Sequence, residues 1–416
     1  MLGHRHSSQN GAARHAGISR RSFFKTGVAA ASAAATVGVL AGCTNKEQDT
    51  ADTSEPVNVS EDTGTSILDT FTSVDLPYSA SNTWTLPLGN VLHPAEGVWL
   101  PVTTAGASAS PMVVASALST SSGELKEVVT KAVTGTTTSV IYSVACSDSV
   151  YAWVELDMIT RSWSLFAAAF SDGALAGETK TLWQADSNWD PAPVACSGTS
   201  VIWQVQPSTS GDKTAETSYC YLWTVGSSNA QAVVESPGRF ATSPTVCGNW
   251  VVLAPRVRAS EGTYYGVTAY TIDDGLKTKV DQLVMPTSVK PFRACRMGEK
   301  FVVSVEANYG SGGLLGNMGT YIGSSDGSDF LYLAREPFEC AAAGKNGVYF
   351  IKSRSSYIVV NATDQTYSVL SATDRSVDYG DYPARVGECD TFVTFSSVKD
   401  ATTGYPASVI VRTFPL

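Results

Sequence analysis

The sequence predicts an all-β fold in which short four-stranded units repeat and close into a ring. Three observations predict it. Cys146, Cys196, Cys247, Cys295, Cys340 and Cys389 recur at intervals of 50, 51, 48, 45 and 49 residues, each ending an apolar stretch and preceding a polar turn and a β-rich run. Asp172-Gly173, Asp274-Gly275 and Asp326-Gly327 fall at one phase of that repeat and supply the positive φ of tight hairpins. Charged residues are only 16% of the chain and Ser, Thr, Val and Gly abound, which suits short strands better than long helices. A period near 50 built from strands implies a β-propeller, because one such unit cannot bury its faces without neighbours.

Each unit divides into strands A to D. In the unit of Cys196, strand A is Ala192 to Cys196, B is Val201 to Gln206, C is Ser218 to Val225 and D is Ala230 to Glu235. The unit of Cys146 follows suit, with Val150 to Glu155, Trp163 to Phe170 and Thr179 to Gln184 as B, C and D. Residues 91–135 keep the rhythm without a cysteine and make a further unit. Beyond Cys389 only 27 residues remain, enough for B and C but not D, so Ser79 to Leu86 is expected to supply the missing outer strand and close the ring. The expectation is seven blades over residues 79–416, with six as the alternative if residues 79–135 fold differently.

The first 43 residues carry an address. Ser19-Arg20-Arg21-Ser22-Phe23-Phe24-Lys25 precedes an Ala-rich apolar run, and together they resemble a bacterial twin-arginine export signal. Leu40-Ala41-Gly42-Cys43 resembles a lipobox, which implies cleavage after residue 42 and acylation of Cys43. Two acyl chains suffice for stable anchoring where one is marginal. The implied partners are the twin-arginine translocase and a lipid membrane, and the implied location is the outer face of the cytoplasmic membrane. Thr44 to Ser66 is almost free of apolar residues, so residues 43–78 are expected to form a disordered acidic tether. Five of the 28 basic residues precede Cys43, which leaves 23 against 38 acidic ones, a balance of −15. Such a surface repels phosphate backbones and excludes nucleic acid as a partner.

The resemblance to propellers is to the superfamily broadly. Pro193 to Cys196 and Pro244 to Cys247 echo the Pro-x-x-Ser opening of periplasmic propellers with cysteine in the serine's place. No Trp-Asp repeat, sialidase box or quinone-docking motif is present, so no family activity carries over. The cysteines lack Cys-x-x-Cys spacing and read as small core residues, without metal or cofactor. After residue 43 the one histidine is His93, which leaves the chain poorly equipped for acyl-transfer triads, and His93 with Glu96 reads as a loop pair. No catalytic residue is assigned.

Long B–C loops point to the face that carries them as the binding face. Aligning the units at the end of strand B puts Glu155, Gln206, Arg256 and Glu306 in series, with Asp157, Arg258 and Tyr309 just beyond, as a polar ring around the channel mouth. The favoured function is a non-enzymatic, lipid-anchored binding or scaffold protein of the cell envelope with a protein or glycan ligand. The alternative is a carbohydrate-active enzyme using paired carboxylates such as Glu155 and Glu306.

Overall fold

The computed structural model describes residues 54–106, 113–354, 356–374 and 380–416. Their strands sort into seven small sheets. Six have four consecutive stretches of chain at their centre, two of them with added strands from elsewhere, and we number these as blades one to six. Blade one runs from Asn90–Leu92 to Leu125–Val129, blade two from Ser139–Cys146 to Lys180–Ala185, and blade three from Val194–Ser197 to Gln231–Ser236. Blade four runs from Thr245–Cys247 to Lys279–Val284, blade five from Arg293–Met297 to Leu331–Leu333, and blade six from Ala343–Lys345 to Thr366–Ser371. The seventh sheet is composite: Tyr382–Pro383, Thr391–Lys399 and Pro406–Pro415 are joined by Asn82–Pro87, which pairs antiparallel with the last strand from Asn82↔Thr413 to Pro87↔Ser408. The fold is therefore an all-β propeller whose ring is closed by a sheet shared between two distant parts of the chain.

Burial is greatest in strand B and falls toward the outer strand D, and the sequence follows it. Strand B of blade two, Val150–Asp157, is buried from its first residue through Leu156, because neighbouring blades cover both faces. Such a strand reads as a continuous apolar run. Strand D of the same blade, Lys180–Ala185, is half-exposed and mixes polar with apolar residues. The core lies between sheets: Trp153 and Phe166 pack with residues of blade one, and Trp163 and Trp203 fill the gap between blades two and three.

The repeat is registered by a turn. The A–B hairpins of blades three, four and five close through Ser197↔Ser200, Cys247↔Trp250 and Met297↔Lys300. Their two-residue loops open with Gly198, Gly248 and Gly298, 50 residues apart, at φ of 52°, 62° and 58°. Blade six puts Asn346 there at φ 52°, the side chain that best tolerates this region after glycine. The cysteines drift against this mark. Cys340 lies outside Ala343–Lys345 and Cys389 outside Tyr382–Pro383, so the expectation that strand A ends at the cysteine fails in the last two sheets. Cys146, Cys196, Cys247 and Cys295 are buried, and two of them bond across to a neighbour: the Cys146 thiol donates to the Trp99 carbonyl and Cys295 to Ala342, each one blade away. All seven described cysteines are free thiols.

The expected tether needs correction from Ser54 onward; residues 43–53 lie outside the described part. Residues 54–78 form a strap along the outer edges of the blades. The Val57 amide donates to Val284 at the end of blade four, Thr65–Ser66 pairs parallel with Leu331 and Tyr332 of blade five, and Thr72–Ser73 pairs parallel with Thr366 and Tyr367 of blade six. Val59, Ile67 and Phe71 anchor it in the core at 5%, 0% and 8% exposure. These few apolar residues, thinly spread in a polar stretch, suffice because the blades supply the other side of each contact, and full burial of each contributes about 1.5–3 kcal/mol.

A blind funnel on the propeller axis

Strand A is the innermost strand of each blade, and residues in or beside it converge on the axis. His93, Ser143, Pro193, Ser243 and Arg293 stand 50 residues apart, and with Glu339 and Val386 they line a cavity of about 300 Å³. At its B–C end the Glu339 side chain is 70% exposed. The walls are strand edges, which present backbone N–H and C=O groups to the axis.

Two segments close the opposite end. The A–B connection of blade one, residues 93–98, is longer than the two-residue turns of the other blades and crosses the axis. Glu96 accepts from the Gly248 amide of blade four at 2.7 Å and from the Ser197 hydroxyl of blade three at 3.4 Å. The second segment, residues 384–390, runs beside it. Arg385 donates to the carbonyls of Ala95 and Gly97, and Gly387–Glu388 pairs parallel with Ala343–Gly344. A Cβ on Gly387, at φ 71°, would lie 2.8 Å from the Cys247 sulfur and 2.9 Å from the Val246 carbonyl. Only glycine lets this segment pass so close to the innermost strand of blade four. Asp148 locks the first segment from outside by accepting from the Val98 and Trp99 amides, both at 3.0 Å.

Burial sets the charge states in the funnel. It lowers the His93 pKa to about 4, so the ring is neutral at pH 7, and its Nε2 meets Thr103 Oγ1 at 3.0 Å. Burial also raises the Glu96 pKa, against the opposing pull of the Gly248 amide, the Ser197 hydroxyl and Arg385. Arg293 is held by Glu339 at 2.5 Å and by the Phe292 carbonyl at 2.7 Å. The thiol of Cys196 is pushed up by burial, and that of Cys340 likewise to about 12, so neither supplies a thiolate at neutral pH. His93 and Glu96, read from sequence as a loop pair, face different partners. Among the described residues no group of three or more His, Cys, Asp or Glu is arranged to hold a metal ion.

The seven residues expected to ring the channel mouth are placed elsewhere: none lines the funnel. Glu155 is buried and accepts from the amides of Val133 and Thr134, the Thr134 hydroxyl and the Trp153 indole, which ties down the connection between blades one and two. Asp157 caps a turn, and hydrogen bonds from Thr138, Thr160 and Ile159 hold its pKa at about 2. Gln206 is buried and donates to Gln204, which donates to the Thr242 carbonyl of blade four. The Arg256 guanidinium stacks 5.9 Å from the Tyr265 ring centre. Arg258 sits at φ 51° between Glu55 of the strap and Glu261. Glu306 is exposed, and Tyr309 packs on the core beneath its own loop. Strand B is one strand removed from the axis, so its ends serve connections between blades. The funnel residues share the 50-residue period but no residue type, so the period alone could have found them. Arg20, Arg21 and Cys43 lie outside the described residues.

No protein-family model matches this chain, and no curated protein matches it in sequence. Solved structures do. A post-proline cleaving enzyme from Rickettsia typhi superposes with a TM-score of 0.51 at 8% identity, covering 78% of this chain and 51% of that one. Prolyl oligopeptidase B from Galerina marginata matches at 0.48 and 10% identity, over 77% and 48%. Acylaminoacyl peptidase from Pyrococcus horikoshii matches at 0.46 and 10%, over 78% and 50%. The chain thus spans about half the length of these proteins, and likeness at such identity shows the fold. The expectation of a non-enzymatic envelope scaffold is corrected here by the match to the post-proline cleaving enzyme. The carbohydrate-active alternative is corrected with it, and Glu155, sealed in by four donors, has no face left for a sugar.

Proposed function

We propose that this propeller is a peptide-receiving module that works in a peptidase context, taking the end of an extended chain into its funnel from the B–C face. The observation that carries this reading is a blind cavity walled by strand edges. Unpaired backbone groups on such edges recognise extended backbone first and side chains second. The titratable groups lining the cavity form no nucleophile–base pair, so within these residues the reading is reception of a peptide, with bond cleavage assigned to the wider context. Ser243→Trp, at the exposed rim, tests it. Affinity for short unstructured peptides, measured by calorimetry, is expected to fall about tenfold or more as the indole fills the mouth. Unchanged affinity in a folded variant would overturn the reading.

The proposed place of action is the outer face of the cytoplasmic membrane. The supports are the Arg20-Arg21 motif and the lipobox cysteine Cys43, which would engage the twin-arginine translocase and then the bilayer. Paired Arg20→Lys and Arg21→Lys substitutions should trap the protein in the cytoplasm, and Cys43→Ser should release it from the membrane fraction. Export and membrane retention unaffected by these changes would remove the proposal.

A further inference from the structure

Resting on the membrane location proposed above, we infer that the B–C loops of blade two and of the closing sheet form a second membrane contact, one that seats the propeller with its B–C face against an anionic lipid surface.

The two loops are built alike. Residues 158–162 of blade two and 400–405 of the closing sheet carry the two most exposed large apolar side chains among the described residues, Ile159 at 76% and Tyr405 at 75%. Tight turns are ordinarily filled by Gly, Pro, Asn, Asp and Ser. Each loop has one acidic residue at its start, and each engages it with its own backbone. Asp157 accepts from the amides of Ile159 and Thr160 at 2.9 and 2.8 Å, and Asp400 from those of Thr402 and Thr403 at 3.0 and 2.8 Å. These bonds fix the shape of the loops, so the apolar tips are held out by structure and not by fraying.

The basic residues beside the tips complement an anionic surface. Lys131, Arg161 and Lys399 are exposed, and among the described residues none pairs with a carboxylate. Apolar and aromatic side chains flanked by Lys and Arg are the composition that settles into a headgroup layer. The rest of the chain is acidic and opposes approach to such a surface. The tips therefore orient a chain that its acyl group already holds; they do not recruit one from solution.

The tether reaches the same face. The Ser54 carbonyl accepts from Arg258 Nη1 at 3.0 Å, and Arg258 lies in the B–C connection of blade four. Cys43 is eleven residues earlier in the chain, and covalent geometry limits that span to about 40 Å. Blade four is two blades from one tip and three from the other, so tether and tips are three separate supports around the ring and define a plane. Neither tip lines the funnel, whose B–C end then faces the lipid.

The test reads which face meets lipid. The acylated chain is reconstituted in vesicles of phosphatidylglycerol and phosphatidylcholine, with an environment-sensitive dye on Thr160→Cys, Thr402→Cys or Lys277→Cys. Lys277 lies in the C–D turn of blade four, on the opposite face. The parent chain serves as the blank for native thiols. Lipids carrying a nitroxide high on the acyl chain should remove most of the emission from Thr160→Cys and Thr402→Cys and none from Lys277→Cys. Met158→Ser, Ile159→Ser and Tyr405→Ser together should restore that emission while the chain still floats with the vesicles. All three are exposed positions, so the core is left intact. Equal quenching at the three dye positions, quenching at Lys277→Cys alone, or quenching that survives the triple substitution would overturn the inference and leave anchoring through Cys43 standing. Bright, blue-shifted dyes on the two loops would put a protein surface against the tips and overturn it as well. A chain isolated from membranes without acyl groups on Cys43 would remove the anchoring reading and the inference with it.

Discussion

Replacing Glu155 with glutamine separates a structural carboxylate from a catalytic one. Oε1 accepts from the Val133 amide at 2.6 Å and the Trp153 indole at 3.0 Å, and Oε2 accepts from the Thr134 amide at 2.9 Å and its hydroxyl at 2.8 Å. A glutamine must turn its amide nitrogen toward one of these pairs. The better choice is the Oε2 side, because the Thr134 hydroxyl can rotate and accept while only the Thr134 amide is orphaned. One buried donor without a partner costs about 1–3 kcal/mol. Loss of charge assistance weakens the remaining bonds, so about 3 kcal/mol is expected. Urea unfolding monitored by tryptophan fluorescence should show the midpoint falling without change of slope. An unchanged midpoint, with peptide handling lost instead, would refute the structural role.

Ile67→Ala should destabilise the fold by about 2–5 kcal/mol and speed amide exchange at Val57 and Thr65, which a loose tether would not show. Gly248→Ala meets open space and should cost only about 1–2 kcal/mol for its left-handed backbone, whereas Gly387→Ala adds a clash with Val246 and Cys247 and should cost clearly more in the same unfolding assay. His93 has a folded pKa near 4, below its ordinary 6.5, so its contribution is complete above pH 6.5 and is lost as pH falls toward 4. The loss is at most about 3 kcal/mol, less where water reaches the half-buried ring. Glu96, raised by burial, works in the opposite direction, so His93→Gln isolates the histidine: unfolding midpoints of the variant should vary less across that pH range than those of the wild type.

Sequence periodicity located the blades because burial between sheets is imposed on every unit alike. Val150–Asp157 must be apolar on both faces, and Asp172-Gly173 must turn tightly, whatever the protein does. The strand shared by the chain's two halves was legible for a related reason: the last unit lacked a D strand, and an unpaired edge must be covered. The site was less legible. Polar residues at the end of strand B looked like a ring because they vary from blade to blade, yet Glu155 and Gln206 vary because each tie between neighbours is local. The strap escaped notice because Ile67 and Phe71 are too few to show a pattern of their own. Glu96 was visible only as a loop residue, since nothing in the local sequence reveals that its partner, Gly248, lies three blades away.

The shared sheet also constrains the order of events during synthesis. Ser81 bonds to Thr413 across 332 residues, and Asn82–Pro87 has no partner until Pro406–Pro415 has been made. Thr65–Ser66 and Thr72–Ser73 likewise wait for residues 331–332 and 366–367. The earliest part of the propeller is thus among the last to settle, and assembly is paced by contacts of very large sequence separation, which form slowly. A ribosome stalled before residue 406 would leave a stack of blades with raw edges at both ends, a species prone to pair with its own copies.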